Sequence, residues 1–378
     1  MASNRFDIVI VGAGFTGMYM LHKARKLGLS ARVLEAGTGV GGTWYWNRYP
    51  GARVDIESMQ YSYQFDDDLA QEWEWSEKYS PQPQLLEYAN HVAERFDLFK
   101  DIQFNTRVAS AKYDETAAEW TLTAEDGSET IGRFYVMATG CLSVPNRPHI
   151  DGLDDFDGPV YQTGRWPHEE VDFTGMRVAV IGTGSSAIQS IPVIAAQAAE
   201  LTVFQRTPNY TIPAHNAPMD KDYAASVKAR YREFRAEASK TGSGIHAVYH
   251  MDSVLDATQE ERERRYWERW NQGGLGFMGA FGDQMLTQEG NDYAANFVKD
   301  RIREQVEDPE TAEKLCPKNL IGAKRLCVDT NYWKTYNLPH VSLVDIKAEP
   351  LERIEGATLY AGGKGYELDA LVLATGFD

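Results

Sequence analysis

One device occurs twice in this chain, and it leaves few folds open. Residues 6–35 read FDIVIVGAGFTGMYMLHKARKLGLSARVLE, and residues 176–206 read MRVAVIGTGSSAIQSIPVIAAQAAELTVFQR. Each is an apolar run, a glycine-rich turn, a stretch with helical spacing and a second apolar run. Continuous apolar runs such as Asp7–Val11 suit parallel strands buried on both faces. The fold class expected is therefore α/β, with two Rossmann-like dinucleotide-binding domains.

The turns differ in what they can hold. Gly12, Gly14 and Gly17 form GxGxxG, and Glu35 closes the second run, about twenty residues on, where an acid accepts a ribose hydroxyl. This unit suits an adenine dinucleotide without a 2′-phosphate, such as FAD or NAD. The later turn has Gly182, Gly184 and Ala187, and its second run ends at Arg206. A pyrophosphate resting on a helix N-terminus suits both turns. A cation at the ribose suits the 2′-phosphate of NADP better than the bare hydroxyl of NAD.

Composition narrows the partners. A net charge of −17 argues against nucleic acid and anionic membrane surfaces. The cysteines Cys141, Cys316 and Cys327 lie far apart, without CxxC or metal-type spacing. That pattern argues for a reducing compartment and against a disulfide framework, a dithiol centre or a bound metal. No apolar run approaches the ~18 residues of a membrane helix. The first strand begins at about Phe6, which leaves no room for a signal peptide. A cytoplasmic location is the expectation.

Between the two devices lies GTGVGGTWYWNRYPGARVDIES, residues 37–58. Glycines let backbone approach a ligand closely, Trp44, Tyr45 and Trp46 offer flat faces, and Arg48, Arg53 and Asp55 offer charge. Residues 61–99 read as mainly helical, with LLEYANHVAERF the clearest amphipathic segment. Short strands follow in IQFNTRVASAKYD, EWTLTAED and FYVMATG. YVMATG has a counterpart in LVLATGFD at residues 371–378; each is an apolar strand ending in a glycine. Residues 220–315 change character into charged helical segments separated by TGSGIH and NQGGLGFMGAFGD, a solvated helical insert. Lys324 and Arg325 then stand beside an apolar run.

Taken together, GAGFTG, GGTWYWNRYPGARVDIES, WPHEEVDFTG, VIGTGSS, VFQRTP, GAKRL and LATGFD resemble the type I Baeyer–Villiger monooxygenases, nearest the phenylacetone and steroid branch. The resemblance runs through essentially the whole chain. It implies a FAD domain at residues 1–144, an NADP domain at 145–213 and 320–370, a helical insert at 214–319, and residues 371–378 as a return strand to the FAD domain. It also implies a further C-terminal part that completes the FAD domain beyond Asp378. One residue departs from the family fingerprint FxGxxxHxxxW. Phe156, Gly158, Trp166 and Pro167 are present, but Gln162 stands at the histidine, and glutamine cannot become a cation near neutral pH.

By resemblance, NADPH reduces FAD, the reduced flavin captures O2 as a C4a-peroxide, and a small-molecule ketone becomes an ester or lactone. Arg325 matches the family's catalytic arginine and Asp55 the acid near the flavin. An anionic peroxide and adduct need a cation that keeps its charge, which favours Arg over Lys. Thr16, Glu35, Thr43, Trp44, Tyr45, Trp46, Tyr61 and Val108 match FAD contacts, and Arg53 joins them with Asp55. Thr183, Gly184, Ser185, Ser186, Ala187 and Gln189 match the pyrophosphate turn. Arg206, Thr207 and Lys324 match the 2′-phosphate site. Two other readings stay open: oxygenation of sulfur or nitrogen, and a nucleotide-binding remnant without turnover. No exposed apolar stripe indicates an oligomer, and a monomer is the expectation.

Overall fold

The computed structural model describes residues 4–378, which divide into two compact units. Of these, the first comprises residues 4–48, Gln82–Pro145 and Phe377–Asp378; the second comprises Tyr49–Pro81 and Asn146–Gly376.

In the first unit, β1 (Arg5–Val11), β2 (Ala31–Leu34), β3 (Ile102–Gln103), β4 (Val108–Asp114), β5 (Glu119–Ala124) and β6 (Glu129–Met137) form one sheet in the order β3-β2-β1-β6-β5-β4. β1 is central and parallel to β2 and β6, whereas β6, β5 and β4 form an antiparallel meander. Because side chains alternate along a strand, Ile8 and Ile10 enter one core with Met18 and Leu21 of the helix Phe15–Lys26 and Ala89 and Ala93 of the helix Gln82–Arg95. Val9 faces the opposite core with Leu34 and Leu122.

The second unit is built on β7 (Val160–Gln162), β8 (Arg177–Ile181) and β9 (Glu200–Gln205), with β10 (Thr211–Pro213), β11 (Cys327–Asp329), β12 (Val341–Asp345), β13 (Leu351–Glu355), β14 (Thr358–Ala361), β15 (Lys364–Glu367) and β16 (Ala370–Leu373). Its main sheet runs β12-β9-β8-β16-β7, all parallel. Val178 and Val180 face Ile188, Ile191 and Ile194 of the helix Ser185–Ala195. Ala179 and Ile181 face the antiparallel trio β13-β14-β15 through Ile354, Leu359 and Ala361. β10 and β11 make a separate parallel pair.

Residues 221–315 carry helices at Lys221–Ala229, Tyr231–Ala238, Gln259–Gln272, Gln288–Gln305 and Pro309–Leu315. Four of these N-termini are closed by a side chain: Asp220, Thr258, Thr287 and Asp308 each accept a first-turn N–H. Such a cap satisfies donors that the helix itself leaves orphaned.

Three expectations need correction. The strand near the chain end, expected to return to the first domain, lies between β8 and β7 in the second sheet; only Phe377–Asp378 group with the first unit. Its apolar run ALVL is buried on both faces there, and Asp369 at its start is held by Arg177 of β8. Residues 61–99 hold only two α-helices, Asp67–Glu72 and Gln82–Arg95. The stretch between them is extended because its backbone is bonded elsewhere: Lys78 N–H donates to Ala217 O at 3.0 Å and Ser58 N–H to Lys78 O at 2.8 Å. Tertiary hydrogen bonds there override helix propensity. For the same reason Tyr49–Pro81, expected in the first domain, groups with the second unit.

Candidate functional site

Each unit presents a glycine turn at the carboxyl end of its central strands, and each turn is shaped by contacts that exclude side chains. In the first unit Gly12 has φ +104°, and a Cβ there would stand 2.6 Å from Ala138 O; one on Gly17 would stand 1.9 Å from Gly12 O. In the second, Gly182 has φ +116°, and its Cβ would meet Ala374 O at 2.2 Å. Only glycine adopts those backbone angles at that closeness. The helices that follow have Gly14 and Gly184 as N-caps, with no side-chain cap and no acid in the first turn. Their first N–H groups therefore remain for a ligand, unlike those of the side-chain-capped helices. A Cβ on Gly184 would meet nothing within 4 Å, so the space over that turn is open.

Glu35 is buried, and its carboxylate accepts Ala13 N–H at 2.6 Å and Gly37 N–H at 2.7 Å. Each oxygen keeps a lone pair, so the acid both closes the glycine turn and can accept a ribose hydroxyl. Thr43–Trp46 form a single helical turn after Gly42. Trp44 and Tyr45 are buried; the Tyr45 hydroxyl accepts Thr38 N–H at 3.0 Å, and a Cβ on Gly37 or Gly39 would meet the Tyr45 ring, so that ring lines the glycine loop. Trp46 is half-buried and Thr16 exposed. Val108 packs against the core of Leu34 and Leu122. Arg53, Asp55 and Tyr61, expected around FAD, belong to the second unit.

That unit brings together residues from far along the chain. Arg325 donates from Nε and Nη2 to the two oxygens of Asp55, at 2.9 and 2.7 Å, across 270 positions of sequence. The fork is bidentate, the arrangement that orients a guanidinium most strictly. Asp55 is the more enclosed partner, with 24% of its side chain exposed against 64% for Arg325. No described residue accepts from Nη1, which leaves that edge for a ligand. Arg53 donates to Glu77 at 3.0 Å, and Glu77 also accepts Asn216 Nδ2 at 2.5 Å.

The second glycine turn is braced from several sides. Thr183 Oγ1 donates to Thr207 O at 2.9 Å, and Asn209 Nδ2 donates to Thr183 O at 2.6 Å. Ser186 Oγ lies 3.1 Å from Thr163 Oγ1, and Ser185 Oγ donates to Cys327 Sγ at 3.4 Å. Burial pushes the Cys327 thiol up to about 11, so it stays protonated, accepting from Ser185 and donating to Arg325 O at 3.9 Å. Ala187 is fully buried. Arg206 and Lys324 are exposed, and among the described residues Arg206 has no ion-pair partner. β11, just after Arg325, is anchored by buried Asp329, which accepts Thr211 Oγ1 at 2.5 Å and Tyr332 N–H at 3.2 Å. Burial raises the Asp329 carboxyl above the usual carboxylate range.

The structure adds Tyr49, Thr163, Asn209, Glu77 and Cys327 to the residues expected. Asn209 sat in plain view in the phrase RTPNY; the others have no sequence pattern, because each acts on a partner distant in the chain. Gln162 donates to Asn146 O at 3.2 Å. Trp166 and Phe156 are core, Trp166 stacking on Tyr161 with 5.2 Å between ring centroids. No metal-type cluster and no membrane-length apolar helix occurs among the described residues.

Two empty-capped glycine turns, one closed by an acid and one followed by a free arginine, fit FAD and NADP respectively. The sequence pattern of the pyridine nucleotide-disulphide oxidoreductases matches residues 9–267. The 2-oxo-Delta(3)-4,5,5-trimethylcyclopentenylacetyl-CoA monooxygenase of Pseudomonas putida is 41% identical over 386 residues, covering 100% of this chain and 70% of that protein. A Baeyer–Villiger monooxygenase of Pseudooceanicola batsensis is 40% identical, covering 99% and 69%. The chain belongs to the Baeyer–Villiger monooxygenases. It is thus a flavoprotein monooxygenase that uses FAD and NADPH. Oxidised steroid monooxygenase bound to NADP superposes with a TM-score of 0.96 at 51% identity, over 99% of this chain and 72% of that one. OTEMO in complex with FAD and NADP gives 0.95 at 40% identity, over 98% and 71%. Phenazine N-monooxygenase PhzNO1 of Lysobacter antibioticus is also 40% identical, over 99% and 69%.

Proposed function

We propose that the chain inserts one oxygen atom of O2 beside the carbonyl of a small-molecule ketone, with Arg325 as the cation of the reaction site. The observation that carries this reading is the bidentate Arg325–Asp55 pair. FAD, which the first glycine turn and Glu35 would hold, would supply the hydride acceptor for NADPH and the centre that activates dioxygen. The chain's own residues do the rest. Arg325 supplies the guanidinium charge, aimed by Asp55, with Nη1 left to face developing negative charge on the substrate oxygen. Asp55 restrains the rotamer and holds part of the guanidinium's charge, so the cation binds an anion without seizing it.

The same reading gives the first turn to FAD, through Gly12, Gly14, Gly17, Glu35 and the single helical turn from Thr43 to Trp46. It gives the second to NADP, through Gly182 to Ala187, with Arg206, Thr207 and Lys324 at the 2′-phosphate. The proposed division is a FAD domain with an NADP domain interrupted by a helical insert at residues 214–319. Three unpaired cysteines suit a reducing compartment such as the cytoplasm.

Arg325→Ala is expected to leave flavin reduction by NADPH intact and to lower ester or lactone formation by roughly 10²–10³. Normal product yield from that variant removes Arg325 from the role. The likeness to a phenazine N-monooxygenase favours one second reading, oxygenation of an aromatic nitrogen. Product analysis with a panel of ketones beside a phenazine separates the two: N-oxide without ester selects the second.

A further inference from the structure

We propose that Gln189 is a positioning residue, and that with Ser185 it makes one face of the helix Ser185–Ala195 the scaffold of the Arg325–Asp55 pair. The inference rests on the role given above to that pair. It gives Gln189 a task other than touching the pyrophosphate.

Ser185 and Gln189 are four residues apart in one helix, so they stand on the same face one turn apart. Each reaches a different segment. The Gln189 amide is spent on the loop that leads to Asp55. Its Oε1 accepts Tyr49 OH at 2.9 Å and Arg53 N–H at 3.4 Å, and its Nε2 donates to Arg53 O at 3.2 Å. Burial, then the nearby Asp55 charge, raise the Tyr49 phenol well above its usual range, so it remains a donor to Gln189. The backbone enforces the same contact. Gly51 has φ +79°, and a Cβ on it would stand 2.4 Å from Gln189 O. No other residue fits this approach without lifting the loop off the helix.

Ser185 holds the opposite segment. Its hydroxyl donates to Cys327 Sγ at 3.4 Å, and that sulfur lies 3.9 Å from Arg325 O. The helix thus grips each segment two residues from its charged group: Arg53 before Asp55, and Cys327 after Arg325. The two grips and the ion pair close a ring. A bidentate fork tolerates little error, and misplacement by about 1 Å is enough to cost a reaction heavily. On this reading the helix that meets the nucleotide phosphates also sets the reaction cation.

Three variants test the proposal. Gln189→Met keeps length and loses all three bonds, whereas Gln189→Glu keeps the acceptor for Tyr49 and Arg53. Three quantities are read: amide hydrogen exchange across residues 49–55 without nucleotide, the Kd for NADP⁺, and ester formed per NADPH consumed. Gln189→Met is expected to speed exchange in 49–55 by about tenfold, to leave the Kd within about twofold, and to divert NADPH from ester to hydrogen peroxide. Gln189→Glu should recover most of the coupling. Gly51→Ala should give the same exchange signature with the Gln189 side chain untouched.

A Kd weakened about tenfold with exchange unchanged makes Gln189 a nucleotide contact and overturns the proposal. So does a Gln189→Met protein unchanged in all three. The exchange measurement needs neither flavin nor ketone, so it fails separately from the monooxygenase reading.

Discussion

Glu35 and Arg325 are both charges set beside a glycine turn, and they are held in opposite ways. Glu35 is buried against two backbone amides of its own neighbourhood, so a local pattern is enough to find it. Arg325 is oriented by a carboxylate 270 residues away, a partner that spacing alone does not reveal. Arg206 is a third case. It is exposed and unpaired among the described residues, and its position after β9 is its whole signal. A charge-assisted contact to a phosphate contributes about 1.5–3 kcal/mol. Arg206→Ala is therefore expected to lower the preference for NADPH over NADH by roughly 10- to 100-fold. Steady-state kinetics with both nucleotides measures this, and unchanged preference would take the 2′-phosphate away from Arg206.

At the scale of elements, cap chemistry separates helices closed by a side chain from helices whose first amides stay open. Thr258, Thr287 and Asp308 close their helices, while Gly14 and Gly184 leave theirs open. The strand β16 makes a different point. Its sequence reads as a generic buried strand, and its place is decided by Asp369. That carboxylate accepts Arg177 N–H at 2.8 Å and Nη2 at 2.9 Å. Arg177, through its side chain first and its backbone amide next, holds the Asp369 carboxyl down at about 2. The folded pKa lies below the ordinary 3.8, so the stabilisation is complete above about pH 5 and is lost as pH falls toward 2. Discounted for solvent exposure, Asp369→Asn should cost about 1 kcal/mol near neutral pH. Urea midpoints should converge with those of the parent chain as pH drops below about 4. A gap that persists at low pH would mean that packing, not charge, is what Asp369 supplies.

For the molecule as a whole, the functional statement is one of coupling. A ketone monooxygenase forms ester in equal measure with the NADPH it consumes. We expect that equality with a good ketone, measured by nucleotide absorbance against product chromatography. NADPH oxidation with peroxide as its only product would mark an uncoupled oxidase. Much of the architecture was legible in the chain. Two apolar runs around each glycine turn require a parallel sheet, since such runs can only be buried on both faces, and GxGxxG states its own backbone angles. The α/β class, both glycine turns and the acid that closes the first of them follow from local periodicity and residue type. Tertiary structure alone decided the rest. Residues 49–81 left the first unit because their backbone bonds run to Ala217 and Gln189. β16 joined the second sheet through Arg177. Arg325 met Asp55 because β11 is anchored to β10 by the buried Asp329. Periodicity reports how a residue relates to its own helix or strand; which distant partner satisfies a leftover hydrogen bond or charge exists only once the chain has folded.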